Sequence, residues 1–187
     1  MTSILTEPPT LEPVTLAEAK QHLRVDTDAE DTLIADLIAA ARRHVEATTG
    51  RALLAQGWRI VRETVPHSGI VRLEPQPVLS IDAVTVRASD GTASVLGAED
   101  YVMDLVSSRL RLLPGGAGRW RADQVEIDIT AGYGTVAGDV PAPLRQAVLM
   151  LVAHWHQHRE AALVGPPDPV SLGVSSLVRP YRLARVA

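Results

Sequence analysis

The 187-residue chain contains no cysteine, no phenylalanine and a single lysine, Lys20. Without cysteine it can form no disulfide, no thiolate nucleophile and no cysteine-ligated zinc site. Aromatic residues make up only 3% of the chain. The one cluster that combines basic and aromatic residues, Arg119-Trp120-Arg121, is too short to indicate a nucleic-acid reader and is interpreted as a loop with an anchoring tryptophan.

The sequence also lacks the features of a membrane protein. No apolar run approaches the ~18 residues that a membrane-spanning helix needs. The first 13 residues have neither the basic region nor the apolar region of a signal peptide. The net charge is −4, with 46% hydrophobic and 21% charged residues, which is ordinary globular usage. We therefore expect a soluble protein made in the cytoplasm, with no membrane partner and one domain followed by a tail.

Helical patterns occupy the first third of the chain. Residues Thr15–Glu18 form a capping box, which predicts a short helix ending near Arg24. Apolar residues then recur at helical spacing from Ala29 to Thr49, with Asp26 and Asp28 as candidate N-caps. Three residues lie off this apolar stripe and are expected to form a solvated face: Arg42, Arg43 and Glu46.

The middle of the chain, residues 56–131, has the alternating pattern of β-strands. Alternation is strictest at residues 125–130, where valine and isoleucine alternate with polar residues. Asp90-Gly91 between two such runs predicts a hairpin. The glycine-rich stretch Pro114–Gly118 lacks the Lys-Ser/Thr pair of a phosphate-binding P-loop and is predicted to be a flexible loop.

A third helix is predicted at residues 141–164, where two early prolines precede a broad apolar stripe. The proline-rich stretch Gly165–Pro169 ends it. The remaining residues, 170–187, are basic and studded with apolar side chains, which indicates a docking tail without which the domain should still fold. A last helix packed on its own domain is the open alternative. The candidate partner contacts are Leu172, Leu177, Val178, Arg179, Tyr181, Arg182 and Arg185.

The sequence offers little chemistry. His154 and His158 have the i, i+4 spacing of a zinc-binding helix, but the general-base glutamate of such motifs is missing and a third ligand would have to come from far away. Asp123, Glu126 and Asp128 have no second carboxylate cluster, and no G-x-S-x-G elbow is present. We therefore predict no catalytic site, no metal and no cofactor. A His-based metal-dependent hydrolase is the disfavoured alternative.

Several stretches together resemble a known family. Residues Val14–Asp26, VTLAEAKQHLRVD, are similar to the opening L-x-E-A-K-x-H-L-R-V-D of the phage head–tail connector family, which includes the adaptors of gene transfer agents. Further stretches are similar to family motifs in the same order: Asp31–Ile34, Ala41–Leu53, Thr130–Gly134, Val140–Ala147, Ala153–Glu160 and Leu177–Arg182. The region from residue 56 to residue 123 matches in pattern only.

The resemblance implies a structural protein of the virion or phage-like particle, placed at the head–tail junction. Such adaptors form a ring, usually of twelve copies, on the portal at the capsid vertex. They attach a stopper or terminator protein on the tail side and leave a channel through which DNA passes without sequence-specific binding. Another virion part, such as a tail-completion protein, is the alternative within the same neighbourhood.

The expected fold class is α+β, with three main helices, an inserted antiparallel β region and a C-terminal docking tail. The expected organisation is a single connector domain at residues 1–169, helical at 15–50 and 141–164 and β-rich at 56–131. The docking tail would follow at residues 170–187.

Overall fold

The computed structural model describes residues 2–64, 66, 68–88, 90–113, 122–158 and 169–183. The chain divides into two compact units. Unit 1 comprises Met1–Pro9 and Ala55–Tyr133, and unit 2 comprises Thr10–Leu54 and Gly134–Ala187. The described residues form antiparallel sheets in unit 1 and α-helices in unit 2. The α+β class predicted from the sequence is confirmed.

Unit 2 contains four α-helices within the described residues. They are α1 (Leu16–Leu23), α2 (Asp31–Thr49), α3 (Ala142–Gln157) and α4 (Pro169–Val178). The expectation of three main helices is not confirmed in that form, because the first half of the predicted tail is itself helical. Of the predicted third helix, α3 comprises Ala142–Gln157, and the residues after His158 lie outside the described part of the chain. None of the described helices is both long enough and apolar enough to span a membrane.

The capping box at α1 is confirmed. The Glu18 amide donates to Thr15 Oγ1 at 3.2 Å, and the Thr15 amide donates to Glu18 Oε2 at 2.8 Å. The N-caps predicted for α2 are wrong. Glu30 occupies the cap position without a side-chain cap bond, and the Asp28 carboxylate binds Lys20 Nζ at 2.6 Å. The ammonium group offers a charge-assisted hydrogen bond, which is stronger than a bond from a neutral backbone amide.

The core of unit 2 consists of aliphatic side chains that pack between its helices. Each fully buried valine, leucine or isoleucine side chain contributes about 1.5–3 kcal/mol relative to exposure. The buried apolar residues are Ile34, Ile38, Ala41 and Val45 of α2, Leu144, Ala147, Val148, Leu151 and Val152 of α3, and Val174 and Val178 of α4. The spacing of these residues is helical in each case, as the sequence predicts.

Unit 1 contains two antiparallel sheets. The strands are β1 (Thr2–Glu7), β2 (Gln56–Arg62), β3 (Ile70–Arg72), β4 (Val78–Ala88), β5 (Ala93–Val95), β6 (Tyr101–Asp104), β7 (Arg109–Leu112) and β8 (Ala122–Ala131). A five-stranded sheet has the order β1-β2-β8-β4-β5, and a three-stranded sheet has the order β3-β7-β6. The antiparallel β region is confirmed, and β1 joins it from the residues that precede the helices.

The local β predictions agree with the structure where its residues are described. Val125, Ile127 and Ile129 of β8 are fully buried, while the polar residues between them face outward. Around Asp90-Gly91, β4 and β5 pair as a hairpin, and Gly91 has the positive φ of 86° that this turn requires. The loop at 114–118 and the cluster at 119–121 lie outside the described residues.

Candidate partner-binding surface

The seven predicted contact residues occupy very different environments. Leu172 on α4 is 68% exposed, whereas Val178 at its end is only 1% exposed. Arg179 and Arg182 are exposed, and Tyr181 is half-buried. Leu177 is also half-buried, and Arg185 lies outside the described residues. The structure therefore divides the predicted set into core anchors and outward-facing side chains.

The residues after α4 are bound to the end of α2. Arg51 Nε donates to the Tyr181 carbonyl at 2.6 Å, and the Leu183 amide donates to the Thr49 carbonyl at 3.0 Å. Gly50 ends α2 with φ 73°, and a Cβ atom there would lie 3.2 Å from Leu183 Cδ1. The chain thus supplies a donor for one of the last carbonyls of α2, which have no partner inside the helix.

Helix α4 approaches α3 closely at a glycine. A Cβ atom at Gly173 would lie only 2.8 Å from Met150 Cε, and Val174 beside it is 6% exposed. Residues 173–183 therefore pack on their own unit, as the alternative interpretation of this segment expected. That packing holds Leu172, Arg179 and Arg182 in place on the outside.

The histidines of α3 have structural neighbours. His156 Nε2 lies 2.9 Å from Glu30 Oε2, which connects α3 with the start of α2. The rings of His154 and His158 are 4.9 Å apart, and Trp155 meets His44 edge-to-face at 5.9 Å. Within the described part of the chain, no three metal-ligating side chains are grouped so that they could hold an ion.

The carboxylates of β8 form cross-strand ion pairs. Asp128 accepts two hydrogen bonds from Arg59 on β2, at 2.7 and 3.0 Å, and Glu126 accepts one from Arg87 on β4 at 2.7 Å. The hydrogen bond that Arg59 donates to Asp128, together with the negative charge of Asp128, raises the pKa of Arg59. These carboxylates therefore neutralise arginines across the sheet, which is a structural role.

One ion pair that the sequence analysis missed joins two of the motif segments. Arg145 on α3 forms an ion pair with Glu18 of the capping box, and its Nε donates to the Pro13 carbonyl at 2.9 Å. The Thr15 amide lowers the pKa of Glu18 most, and the Thr15 hydroxyl and Arg145 lower it further. Glu18 and Arg145 each lie in a stretch that resembles the family motifs, but no local sequence pattern indicates that their side chains form an ion pair.

A second such interaction corrects the prediction of a solvated face on α2. Arg42 is only 5% exposed and binds Glu12 at 2.8 Å and Glu46 at 2.9 Å. Burial alone would lower the pKa of Arg42, but the hydrogen bonds and charges of the two glutamates raise it. The neighbouring Arg43 is exposed, as expected.

A known protein family matches part of the first half of the chain. Residues 13–90 match the family described as phage gp6-like head–tail connector proteins. This range covers α1, α2 and the strands β2, β3 and β4. No curated protein matches the sequence significantly.

Solved structures match essentially the whole chain. A chain in the neck of an empty GTA particle, computed with C6 symmetry, is 27% identical with a TM-score of 0.80, over 100% of this chain and 98% of that one. A chain in the virion of a native gene transfer agent particle is 26% identical with a TM-score of 0.81, over 100% and 98%. A chain in the neck of a native GTA particle, computed with C12 symmetry, is 25% identical with a TM-score of 0.77, over 98% and 97%. The resemblance to the phage head–tail connector family, including the adaptors of gene transfer agents, is thereby confirmed.

Proposed function

We propose that this protein is a structural connector at the head–tail junction of a virion or phage-like particle, and that it acts without catalysis. The observation that carries the proposal is the end-to-end match to neck chains. The TM-scores are 0.77 and 0.80, and each alignment covers nearly all of this chain and of the matched chain. A match confined to one unit would support only a shared domain. A match that spans both units supports a shared role.

We further propose that the chain works as a homo-oligomeric ring of twelve copies. The matched necks were computed with C12 and C6 symmetry, which supports a ring in this protein's own particle. In a cyclic ring each copy meets its two neighbours through two different patches. DNA would pass through the channel of the ring. A net charge of −4 suits a channel that should not retain DNA by phosphate contacts.

The partners that fit this position are a portal protein on the head side and a stopper or terminator protein on the tail side. We assign residues 1–169 to a connector body that carries helices α1 to α3 and the β-rich insertion at residues 56–131. Residues 170–187 would form the docking segment. A tail-completion role is the second candidate, and it would place the chain at the far end of the neck.

The docking surface that we propose consists of Leu172, Arg179 and Arg182. Exposed arginines often contribute strongly to binding at protein interfaces, and Leu172 adds an exposed apolar side chain on the same segment. Val178 and Tyr181 would hold the segment on its own unit. Deleting the whole segment would also remove these anchors, so substitutions of the outward-facing residues test docking more cleanly.

The proposed function is tested by making particles without the chain. We expect full heads that lack tails, because the tail side has no attachment point, and we expect tailed particles to return when the chain is supplied separately. The measurement is the fraction of tailed particles in electron micrographs. Tailed particles in normal numbers without the chain would contradict the proposal.

A further inference from the structure

The outer face of the three-stranded sheet carries a cleft with two arginines. Strand pairing places Arg111 between Ile70 and Val102, and Arg109 between Arg72 and Asp104. The alternate residues on the same strands, Val71 and Leu110, are fully buried, so these six side chains lie on the opposite, outer face. All of them except Arg72 line a cavity of about 340 Å³, which we name the arginine cleft.

The two arginines of the cleft differ from their neighbours in unit 1. Arg59, Arg87 and Arg72 each have an ion pair, with Asp128, Glu126 and Glu74. Among the described residues, neither Arg109 nor Arg111 has a carboxylate within ion-pair distance. Each guanidinium group therefore presents unused donors to the cleft.

The one carboxylate of the cleft is already occupied. Asp104 accepts from the Ser107 hydroxyl at 2.6 Å, the Val106 amide at 3.0 Å and the Ser107 amide at 3.1 Å. These bonds hold the turn after β6, and with the more distant charge of Arg109 they lower the pKa of Asp104. The hydrogen bonds of Asp104 thus stabilise the turn after β6. With two arginines and one carboxylate, the lining of the cleft has a net positive charge.

The edge of the cleft is apolar and exposed. Val102 is 53% exposed, and the turn beside it carries Leu105 at 52% and Val106 at 99%. An exposed aliphatic group next to two free guanidinium groups complements a segment in which a carboxylate stands beside an apolar side chain. An arginine can bind such a carboxylate through two parallel hydrogen bonds.

The charge balance indicates where such a segment comes from. The chain has 22 acidic residues against 18 basic ones, so copies of it repel one another unless local charges are complementary. In the ring that we propose, every copy faces another copy of this acidic chain. Resting on that proposed function, we propose that the arginine cleft receives an acidic, partly apolar segment of the neighbouring copy in the ring.

The occupant can be identified by a photo-crosslinking amino acid at Val102 in assembled particles. We expect a product of twice the 20.0 kDa mass of the chain, and we expect R111E to reduce it about tenfold or more, as loss of a charge pair at an interface does. The matched control is R43E, which makes the same charge change at an exposed arginine outside the cleft and should leave the product unchanged.

Three results would overturn the inference while leaving the connector role intact, provided that the chain is found in the necks of the same particles. They are a Val102 product with another virion protein or with DNA, no Val102 product at all, and a Val102 product that R111E leaves unchanged. If the chain is missing from the necks, the proposed function fails and the inference fails with it.

Discussion

Two adjacent arginines on α2 show how neighbouring residues acquire different roles. Arg42 is 5% exposed between Glu12 and Glu46, whereas Arg43 is exposed. Both lie off the apolar stripe of α2, so helical spacing alone predicts the same environment for both. The difference arises from Glu12, which is 30 residues away in the sequence. The helical period contains no information about such a distant partner.

We expect R42A to lower the free energy of unfolding by about 2–4 kcal/mol, because it leaves two glutamates partly buried without their cation. R43A removes the same side chain at an exposed position and should change stability by less than about 0.5 kcal/mol. Urea unfolding followed by circular dichroism measures both. Equal losses in the two variants would show that the Arg42 cluster contributes nothing specific.

Glu18 gives the protein a predictable response to acid. The Thr15 amide, with the Thr15 hydroxyl and Arg145, lowers the pKa of Glu18 in the folded state. A carboxylate whose pKa is lower in the folded state stabilises the fold above its unfolded pKa, and this stabilisation is lost as the pH falls through the folded value. The capping box and the ion pair with α3 should therefore weaken together at low pH.

We expect E18Q to be less stable than the unmodified protein at pH 7, with a difference that narrows toward about pH 3. The measurement is the urea midpoint of each protein at several pH values. E63Q, at an exposed glutamate on unit 1, is the control and should follow the unmodified protein throughout. A gap between E18Q and the unmodified protein that stays constant across the pH range would rule out this role for the Glu18 carboxylate.

At the scale of elements, the C-terminal segment has an inner face and an outer face. Val174 and Val178 of α4 are buried, while Leu172, two residues before Val174, is 68% exposed. An exposed leucine on an otherwise well-packed helix contributes little to the fold of its own unit. Its side chain is available for a partner.

We expect L172D to fold normally and to reduce the fraction of tailed particles about tenfold or more, because a negative charge would replace the exposed apolar side chain of the proposed docking surface. The matched control is V136D, at a valine that is 52% exposed on the same unit outside that surface. Circular dichroism checks the fold, and electron microscopy counts the particles. If both variants yield tailed particles in normal numbers, Leu172 has no part in docking.

Helix caps, strand alternation and turns could be predicted where they depend on residues that are close in sequence. The capping box of α1, the alternation of β8 and the turn at Asp90-Gly91 each depend on residues close in sequence, and each was found as predicted. Strand β1 was not predicted, because its pairing with β2 joins residues 50 or more positions apart. The division of the eight described strands into two sheets could not be predicted either, because strand pairing joins residues that are distant in sequence.

The candidate surface could be predicted only as a segment. Composition drew attention to the residues after the proline-rich break as a whole. It could not distinguish Val178, which is buried, from Leu172, which is exposed, because both are aliphatic residues on one short helix. Arg111 was not singled out at all, since a lone arginine in a strand acquires meaning only when strand pairing gives it apolar neighbours.

At the scale of the whole molecule, the account rests on a chain that resembles neck components from end to end. The similarity is about 25–27% in sequence, yet it covers 97–100% of the chains compared. Both units are therefore part of what is shared. The two surfaces proposed for contacts differ in kind: the arginine cleft on unit 1 would face a second copy, and the C-terminal segment of unit 2 would face another protein.

The most direct test of the central claim is electron cryomicroscopy of purified particles, focused on the junction between head and tail. The account predicts a ring with twelve copies of this chain, fitted by its helices and both sheets, between the portal and the tail. Clear density at the neck that this chain does not fit, or its presence only in the tail or inside the head, would contradict the account.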